Sequence, residues 1–346
     1  MNRSYRLPPE WAPQQGVLLT WPHAHGDWQP LLGEVEPVYV ELTRQITRFE
    51  RVLIVASDDE HRRHISTLLD GAGIRSEMFA IFCAPSNDSW SRDHGPVTVV
   101  DEHGELRLLD FTFNGWGGKH PAELDDRLTR SLHEQGAFGG IPLEPVDLVL
   151  EGGAIEVDGR GGLLTTTRCL LSPLRNPDLG CQALEALFGR LFGIERTLWL
   201  ENGHLAGDDT DSHIDTLARF CNPSTIAYVA CDDPRDEHYH ELKAMEAELH
   251  SFRNADGRPY TLVPLPWPGP VYAPSGERLP ATYANFLIIN GAVLVPTYGV
   301  PGDREAIAVL GRCFPGREVI GVACTPLLRQ YGSLHCATMQ IPRKPS

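Results

Sequence analysis

Apolar residues recur at helical spacing over about 34–49, 58–72, 121–136, 178–192, 235–252 and 303–312, which predicts six helices. Start signals support several of them: Asn176 before Pro177, Asp233 before Pro234, and Asp303 ahead of an Ala- and Leu-containing run. A short apolar or β-branched run follows each helix: RVLIVAS (51–57), SEMFAIF (76–82), PVDLVL (145–150), RTLWL (196–200), PYTLVPL (259–265) and REVIGVA (317–323). These read as strands.

The segments after most of those strands carry a second rhythm. PVTVVDEHGELRLLDF (96–111), AIEVDGRGGLLTTTRCLL (154–171), TLARFCNPSTIAYVA (216–230) and FLIINGAVLVPTY (286–298) each hold two apolar runs around a turn. A unit of helix, strand and hairpin therefore recurs roughly every 50–70 residues. A polar or reactive residue stands where the chain enters each hairpin: Asp93, Glu151, the pair His213 and Asp215, and Asn285. Cys336 lies in LHCATMQIP, expected as the last strand. Units packed around one axis would bring those residues together, and a final strand at 334–341 paired with GVLLTWP (16–22) would close the ring. The alternative is an open α/β sheet with unrelated loops.

No boundary divides the chain, so a single domain over 1–346 is expected. The stretch from Pro259 to Pro280 holds seven prolines in 22 residues and reads as a long structured loop over the site.

Composition narrows the function classes. Apolar residues make up 42% and charged residues 22%, which excludes a disordered or fibrous chain. With 30 Lys plus Arg against 46 Asp plus Glu, the net charge of −16 argues against nucleic acid and suits a cationic partner. No run approaches the roughly 18–20 apolar residues that span a membrane. The opening MNRSYRLPPEW has no apolar core, so no secretory signal is expected. Eight cysteines without a C-x-x-C pair or a clustered framework point to free thiols in the cytoplasm. A homo-oligomer is left open.

Among the candidate nucleophiles, Cys169, Cys181, Cys221, Cys231 and Cys313 lie in apolar or helical runs and read as core fillers. Cys336 follows YGSLH, whose Gly332 and Ser333 suggest a close approach. The acidic run GDDTDSHID (207–215) admits a solvated loop or a metal site with His204, but it has no EF-hand glycine and no H-E-x-x-H. Glu151, beside two glycines at a strand end, reads as a turn residue or a general base. Asp93 beside Arg92 reads as a surface ion pair, although Trp90 close by is unusual for a solvent-facing segment. Phosphate-binding loops and G-x-S-x-G are absent.

Taken together, PEWAPQQGVLLTWPHAHGDW (9–28), NDSWSRDHGPV (87–97), DFTFNGWGGK (110–119), LEGGAIEVDGRGGLLTTTRCLLSPLRNP (150–177), DTDSHID (209–215), NFLIINGAVLVPTYG (285–299) and LHCATMQIP (334–342) resemble the agmatine deiminase and Porphyromonas-type peptidylarginine deiminase family. The resemblance implies a pentein α/β-propeller of five ββαβ-type units around a pseudo-fivefold axis. It implies Cys336 as nucleophile, His213 and Glu151 as acid–base groups, and Asp93 and Asp215 as ligands of a small cationic guanidino substrate, with Trp90 and Trp116 lining the pocket. Neither a metal nor an organic cofactor is implied. The segments 331–334 and 203–215 depart from the family's usual form and are expected to shape the substrate's far end, where Asp208, Asp209 and Asp211 could receive an ammonium. Agmatine is the favoured substrate and peptidyl-arginine the alternative. A metal-dependent hydrolase and a non-catalytic polyamine binder are the remaining readings.

Overall fold

The computed structural model describes residues 5–345. Within them a unit of two antiparallel strands, a helix and a third strand parallel to the second occurs five times. Unit one joins both ends of the chain: Thr338–Pro342 pairs with Gln14–Thr20, followed by the helix Leu32–Ile46 and the strand Arg51–Ala56. Unit two runs through Val97–Asp101, Leu106–Thr112, the helix Leu128–Glu134 and Leu143–Val149. Unit three comprises Glu156–Val157, Gly162–Thr166, the helix Cys181–Phe192 and Arg196–Leu200. Unit four comprises Ala218–Asn222, Thr225–Val229, the helix Tyr239–Ser251 and Thr261–Leu265, and unit five Leu287–Ile289, Ala292–Thr297, the helix Gly302–Cys313 and Glu318–Ala323. This is the pentein α/β-propeller that the resemblance implies. Its sheets stay separate, with no strand pairing from one unit to the next and no closed barrel among the described residues.

Parallel pairing inside each unit requires a crossover, and the predicted helices supply it. Leu32–Ile46 buries Val35, Val38, Tyr39, Leu42 and Ile46, one stripe at helical spacing, against its sheet. The middle strand Gln14–Thr20 buries nearly every side chain, as expected of a strand covered on both faces. Asp59–Gly71 adds a second helix to unit one, whose sheet Phe79–Cys83 extends.

Two expectations need correction. The last strand begins at Thr338, so Cys336 sits on the turn ahead of it rather than within it. That places Cys336 at a hairpin entry like the other four positions. The proline-rich stretch does not roof the pocket: Thr261–Leu265 is unit four's outer strand, and the remainder forms a small hairpin of Val271–Tyr272 with Arg278–Leu279. It touches the pocket rim through the Tyr331 hydroxyl, which donates to Glu277 Oε2 at 3.3 Å.

With the sheets unconnected, a buried charge network ties the units together at their centre. Arg219 from unit four is fully buried, pairs with Glu156 of unit three and with Glu10, and donates to the carbonyls of Ala284 at 3.3 Å and Phe286 at 2.8 Å ahead of unit five. Arg92, before unit two, lies 3.3 Å from Glu10 and also meets Gln340 of unit one. His335 bridges Glu10 Oε1 and Asp215 Oδ2, each at 2.8 Å. Burial opposes the charge on Glu10, yet Arg219, His335 and Arg92 hold it well below the usual carboxylate range. Replacing Arg219 with Ala leaves Glu156 without its partner and Glu10 with only Arg92, His335 and Gln340, so we expect a loss of about 3–5 kcal/mol in chemical denaturation. A drop below about 1 kcal/mol would show that the network does not hold the units.

Candidate active site

The hairpin entries converge. Asp93 lies on the one-turn helix Ser91–His94, Glu151 precedes the turn Gly152–Ala154, and His213 and Asp215 flank the start of the turn Ile214–Thr216. Asn285 and Cys336 each precede the first strand of their unit by two residues.

Asp93 is fixed from two sides. Its Oδ2 accepts the Trp116 indole N–H at 3.0 Å, and its Oδ1 accepts the Gly153 amide at 3.0 Å and lies 3.6 Å from His213 Nδ1. Trp116 is held in a left-handed backbone conformation, φ 55°, between two glycines of the FNGWGGK loop. Gly153 is required by space: a Cβ there would lie 2.6 Å from His213 Nδ1 and 2.9 Å from Asp93 Oδ1. Gly332 serves Trp90 in the same way, since a Cβ would meet its ring at 2.4 Å.

Asn285 supports the nucleophile. Its Nδ2 lies 3.3 Å from Cys336 Sγ, and its Oδ1 accepts the His335 amide at 2.9 Å and the Cys336 amide at 3.3 Å. Asp215 Oδ2 lies 3.7 Å from the sulfur and is anchored on the far side by His335. Glu151 receives the Arg175 Nε on both oxygens at 2.9 Å, while Nη1 of the same guanidinium reaches Asp211 at 2.6 Å. Cys336, Asp93, Trp90, Trp116 and Thr216 line one pocket, whose outer part is formed by Asp27, Asp88, His120, Asp209, Gln330, Tyr331 and Gly332.

Burial first, then the neighbouring Asp215 and Asp93, push the Cys336 thiol well above its ordinary range. Burial likewise raises Asp93. Asp215 overcomes its burial through His335 and stays below the ordinary range. At His213 burial works against the charge, but the carboxylate of Asp93 foremost, with Cys169 and Glu151, raises it to about 10. Both His213 ring nitrogens and Asp215 Oδ1 are buried without a hydrogen-bond partner. Unmatched buried polar atoms are uncommon, and their grouping beside a thiol marks a place where a polar molecule docks.

Every residue of the expected site is thus brought together: Cys336, Asp93, Trp90 and Trp116 line the pocket, Asp215 touches the sulfur, and His213 and Glu151 back the pocket wall. The acidic run 207–215 forms turns, and three of its four carboxylates are already engaged: Asp208 caps the amides of Thr210 and Ser212, Asp211 holds Lys119 and Arg175, and Asp209 meets His120 at 2.6 Å. Of these only Asp209 reaches the pocket. Cys169 packs in the apolar cluster of unit three as expected, and its thiol also lies within 4.8 Å of donor atoms of His213 and Glu151. Sequence reasoning missed Arg175, His335, Asp27 and Asp88 as parts of the site. Asn285 stood at the fifth hairpin entry, and its position alone was the signal.

A raised imidazole has a measurable signature. In Cys336→Ala protein, His213 should remain protonated up to about pH 10 by imidazole NMR, against an ordinary 6.5, and Asp93→Asn should bring it down. Because the folded state binds this proton more tightly than the unfolded chain, the stabilisation is complete below 6.5 and disappears as pH rises through about 10. Titration near 6.5 in the parent protein would refute this electrostatic account.

A family model described as Porphyromonas-type peptidyl-arginine deiminase matches residues 6–342. The agmatine deiminase of Stutzerimonas stutzeri is 33% identical, with 98% of this chain and 95% of its own length covered. Among solved structures, a Porphyromonas gingivalis chain provisionally assigned as an arginine deiminase superposes with a TM-score of 0.90 at 48% identity, covering 98% of this chain and 99% of its own. A C. jejuni agmatine deiminase, a cysteine-to-serine variant with substrate bound, superposes with a TM-score of 0.91 at 37% identity, covering 99% and 97%. A match over nearly the whole length, around a pocket holding one thiol and paired carboxylates, means that the chain belongs to the Porphyromonas-type peptidyl-arginine deiminase family.

Proposed function

We propose that this chain is an agmatine deiminase, one deiminase domain that hydrolyses agmatine to N-carbamoylputrescine and ammonia through a covalent intermediate on Cys336. The observation that carries the reading is the Cys336 sulfur beside Asp215, with Asn285 at its back and Asp93 across the same pocket.

A guanidinium is planar and resonance-stabilised, so it resists attack by water. Asp93 and the unpartnered Oδ1 of Asp215 accept its N–H groups, fix its plane and present its central carbon to the sulfur. The two carboxylates that keep the free enzyme's thiol protonated are the ones the cation neutralises, so substrate binding itself favours the thiolate. The thiol proton passes to solvent as the cation takes its place, since Asp215, held below the ordinary range by His335, stays ionised to hold the guanidinium. The thiolate attacks the central carbon, and imidazolium His213 gives its proton to the departing nitrogen, which leaves as ammonia. His213, now neutral, takes a proton from water as the water attacks the S-alkylthiouronium. The C–S bond then breaks as the hydroxyl proton passes to the departing sulfur, which restores the thiol and releases the ureido group. Glu151, held by Arg175, keeps a negative charge beside His213 and stabilises its protonated form.

Agmatine is favoured over the alternatives by the outer pocket. Asp27, Asp88 and Asp209 gather there, and burial, with Asp27 adding to it, pushes Asp88 up to about 6. Such a carboxylate welcomes a primary ammonium and repels the carboxylate of free arginine. Cys336 is only 6% exposed, which suits a slender free substrate better than a peptide strand. Eight unpaired cysteines suit a cytoplasmic setting, and no helix among the described residues is long and apolar enough to cross a membrane.

A panel of agmatine, free arginine and an arginine-containing peptide, scored for ureido product, tests the reading. Turnover should be confined to agmatine and fall to background in Cys336→Ala; turnover chiefly of the peptide would transfer the assignment to peptidyl-arginine. Asp88→Asn should raise KM for agmatine roughly tenfold, the size of a weakened ion pair, with kcat little changed. An unchanged KM would remove Asp88 from ammonium recognition.

A further inference from the structure

Behind the wall of the pocket, three buried side chains from separate segments face one another. Glu151 enters unit three, Cys169 lies on the one-turn helix Thr167–Leu170 that leaves its hairpin, and His213 enters unit four. All three have no exposed surface, and their donor atoms lie within 4.8 Å of one another. Among the described residues this is the one group of His, Cys, Asp or Glu side chains so closely set. Neither ring nitrogen of His213 has a hydrogen-bond partner.

We propose that Glu151, Cys169 and His213 form a binding site for a thiophilic divalent cation of the Zn2+ type, and that its occupation blocks the enzyme. Thiolate, imidazole and carboxylate together are the donor set that selects such ions. Bonds of about 2.0–2.3 Å put tetrahedral donors roughly 3.3–3.8 Å apart, so the side chains must draw together by no more than about 1.5 Å. Arg175 does not forestall this. Its Nε occupies one lone pair on each Glu151 oxygen and leaves the others free.

The proton balance explains how so buried a site can accept a doubly charged ion. At rest Glu151 is an anion, His213 an imidazolium and Cys169 a thiol raised by its burial. The ion forms bonds to sulfur, nitrogen and oxygen as the S–H and one N–H bond break, and two protons pass to solvent. The trio carries zero net charge before and after, so the interior gains no uncompensated charge. The proton lost from His213 is the one assigned above to the departing ammonia, hence the block. That consequence rests on the proposed deiminase reading, whereas the binding does not.

The test uses chelator-treated protein and Cd2+ as the probe, read by the thiolate-to-cadmium charge-transfer band. Cys336→Ala protein should show the band at one equivalent, and Cys336→Ala/Cys169→Ser protein should lose it. A band that survives in the double variant, or none in the single one, overturns the site. If the double variant does not fold, a Cd2+-soaked crystal of Cys336→Ala protein decides: anomalous density among the three donors supports the proposal, and density elsewhere or none defeats it. Zn2+ should inhibit agmatine turnover of the parent protein, with recovery on chelation. Cadmium bound at the trio with turnover intact overturns the block. Since the band is read without turnover, a chain that proves not to be a deiminase still shows whether the three donors bind the ion.

Discussion

Five sheets that share no strand pairing are held in register by charge at their centre. Arg219 is the pivot: one guanidinium, fully buried, engages Glu156 from unit three, Glu10 from the N-terminal segment and two carbonyls at the entrance to unit five. Arg92 and Gln340 bring units two and one to the same Glu10. A planar group with five fixed donors can serve several elements at once, which a lysine could not. The arrangement carries a large desolvation penalty and stabilises only while complete. Its return is positional. His335 carries the network to Asp215, and Asp215 meets the nucleophilic sulfur, so the alignment of the units and the geometry of the pocket depend on the same contacts.

That coupling makes sense of the pocket's electrostatics. A thiol kept protonated by burial and two carboxylates is inert until a cation arrives. The site therefore selects for charge at the same moment as it activates its nucleophile. Asp93 and Asp215 are nonetheless not equivalent. Asp93 is raised by burial and receives neutral donors, whereas Asp215 has an imidazole behind it that keeps it ionised. One carboxylate is anchored for orientation and the other for charge.

Much of this is legible in the order of residues alone. The six helices lie where apolar spacing puts them, within a few residues at each end except for 121–136, whose first half is turns and a short 3-10 segment. The hairpins, the closing pair and the five matched polar positions follow from a period-2 and period-3.6 alternation that local sequence must obey. What stays hidden depends on approach in three dimensions. Nothing in TTTRCLL says that Cys169 will face His213 some 44 positions later, because a cysteine in an apolar run looks the same packed or poised. Arg175 is hidden for the same reason, since its partner lies on another hairpin entry. The Asp208–Asp209–Asp211 cluster misleads in the opposite direction: density of charge along the chain suggests a ligand site, while turn capping and ion pairs have already claimed all three, and only Asp209 also reaches the pocket.

The repeated unit also explains how a nucleophile, two carboxylates and an acid–base pair can meet without a loop devoted to catalysis. Each hairpin entry places one side chain at the centre, or two in unit four, where His213 and Asp215 share the entry, and the surrounding glycines set how closely those residues approach. Gly153 is the clearest case, since its missing Cβ is the space in which His213 and Asp93 come within 3.6 Å. Gly332 is a second case, since a Cβ there would meet the Trp90 ring at 2.4 Å. On the proposed reading, the guanidinium is recognised by the hairpin entries and the substrate's far end by Asp27, Asp88 and Asp209, which other segments bring to the same pocket.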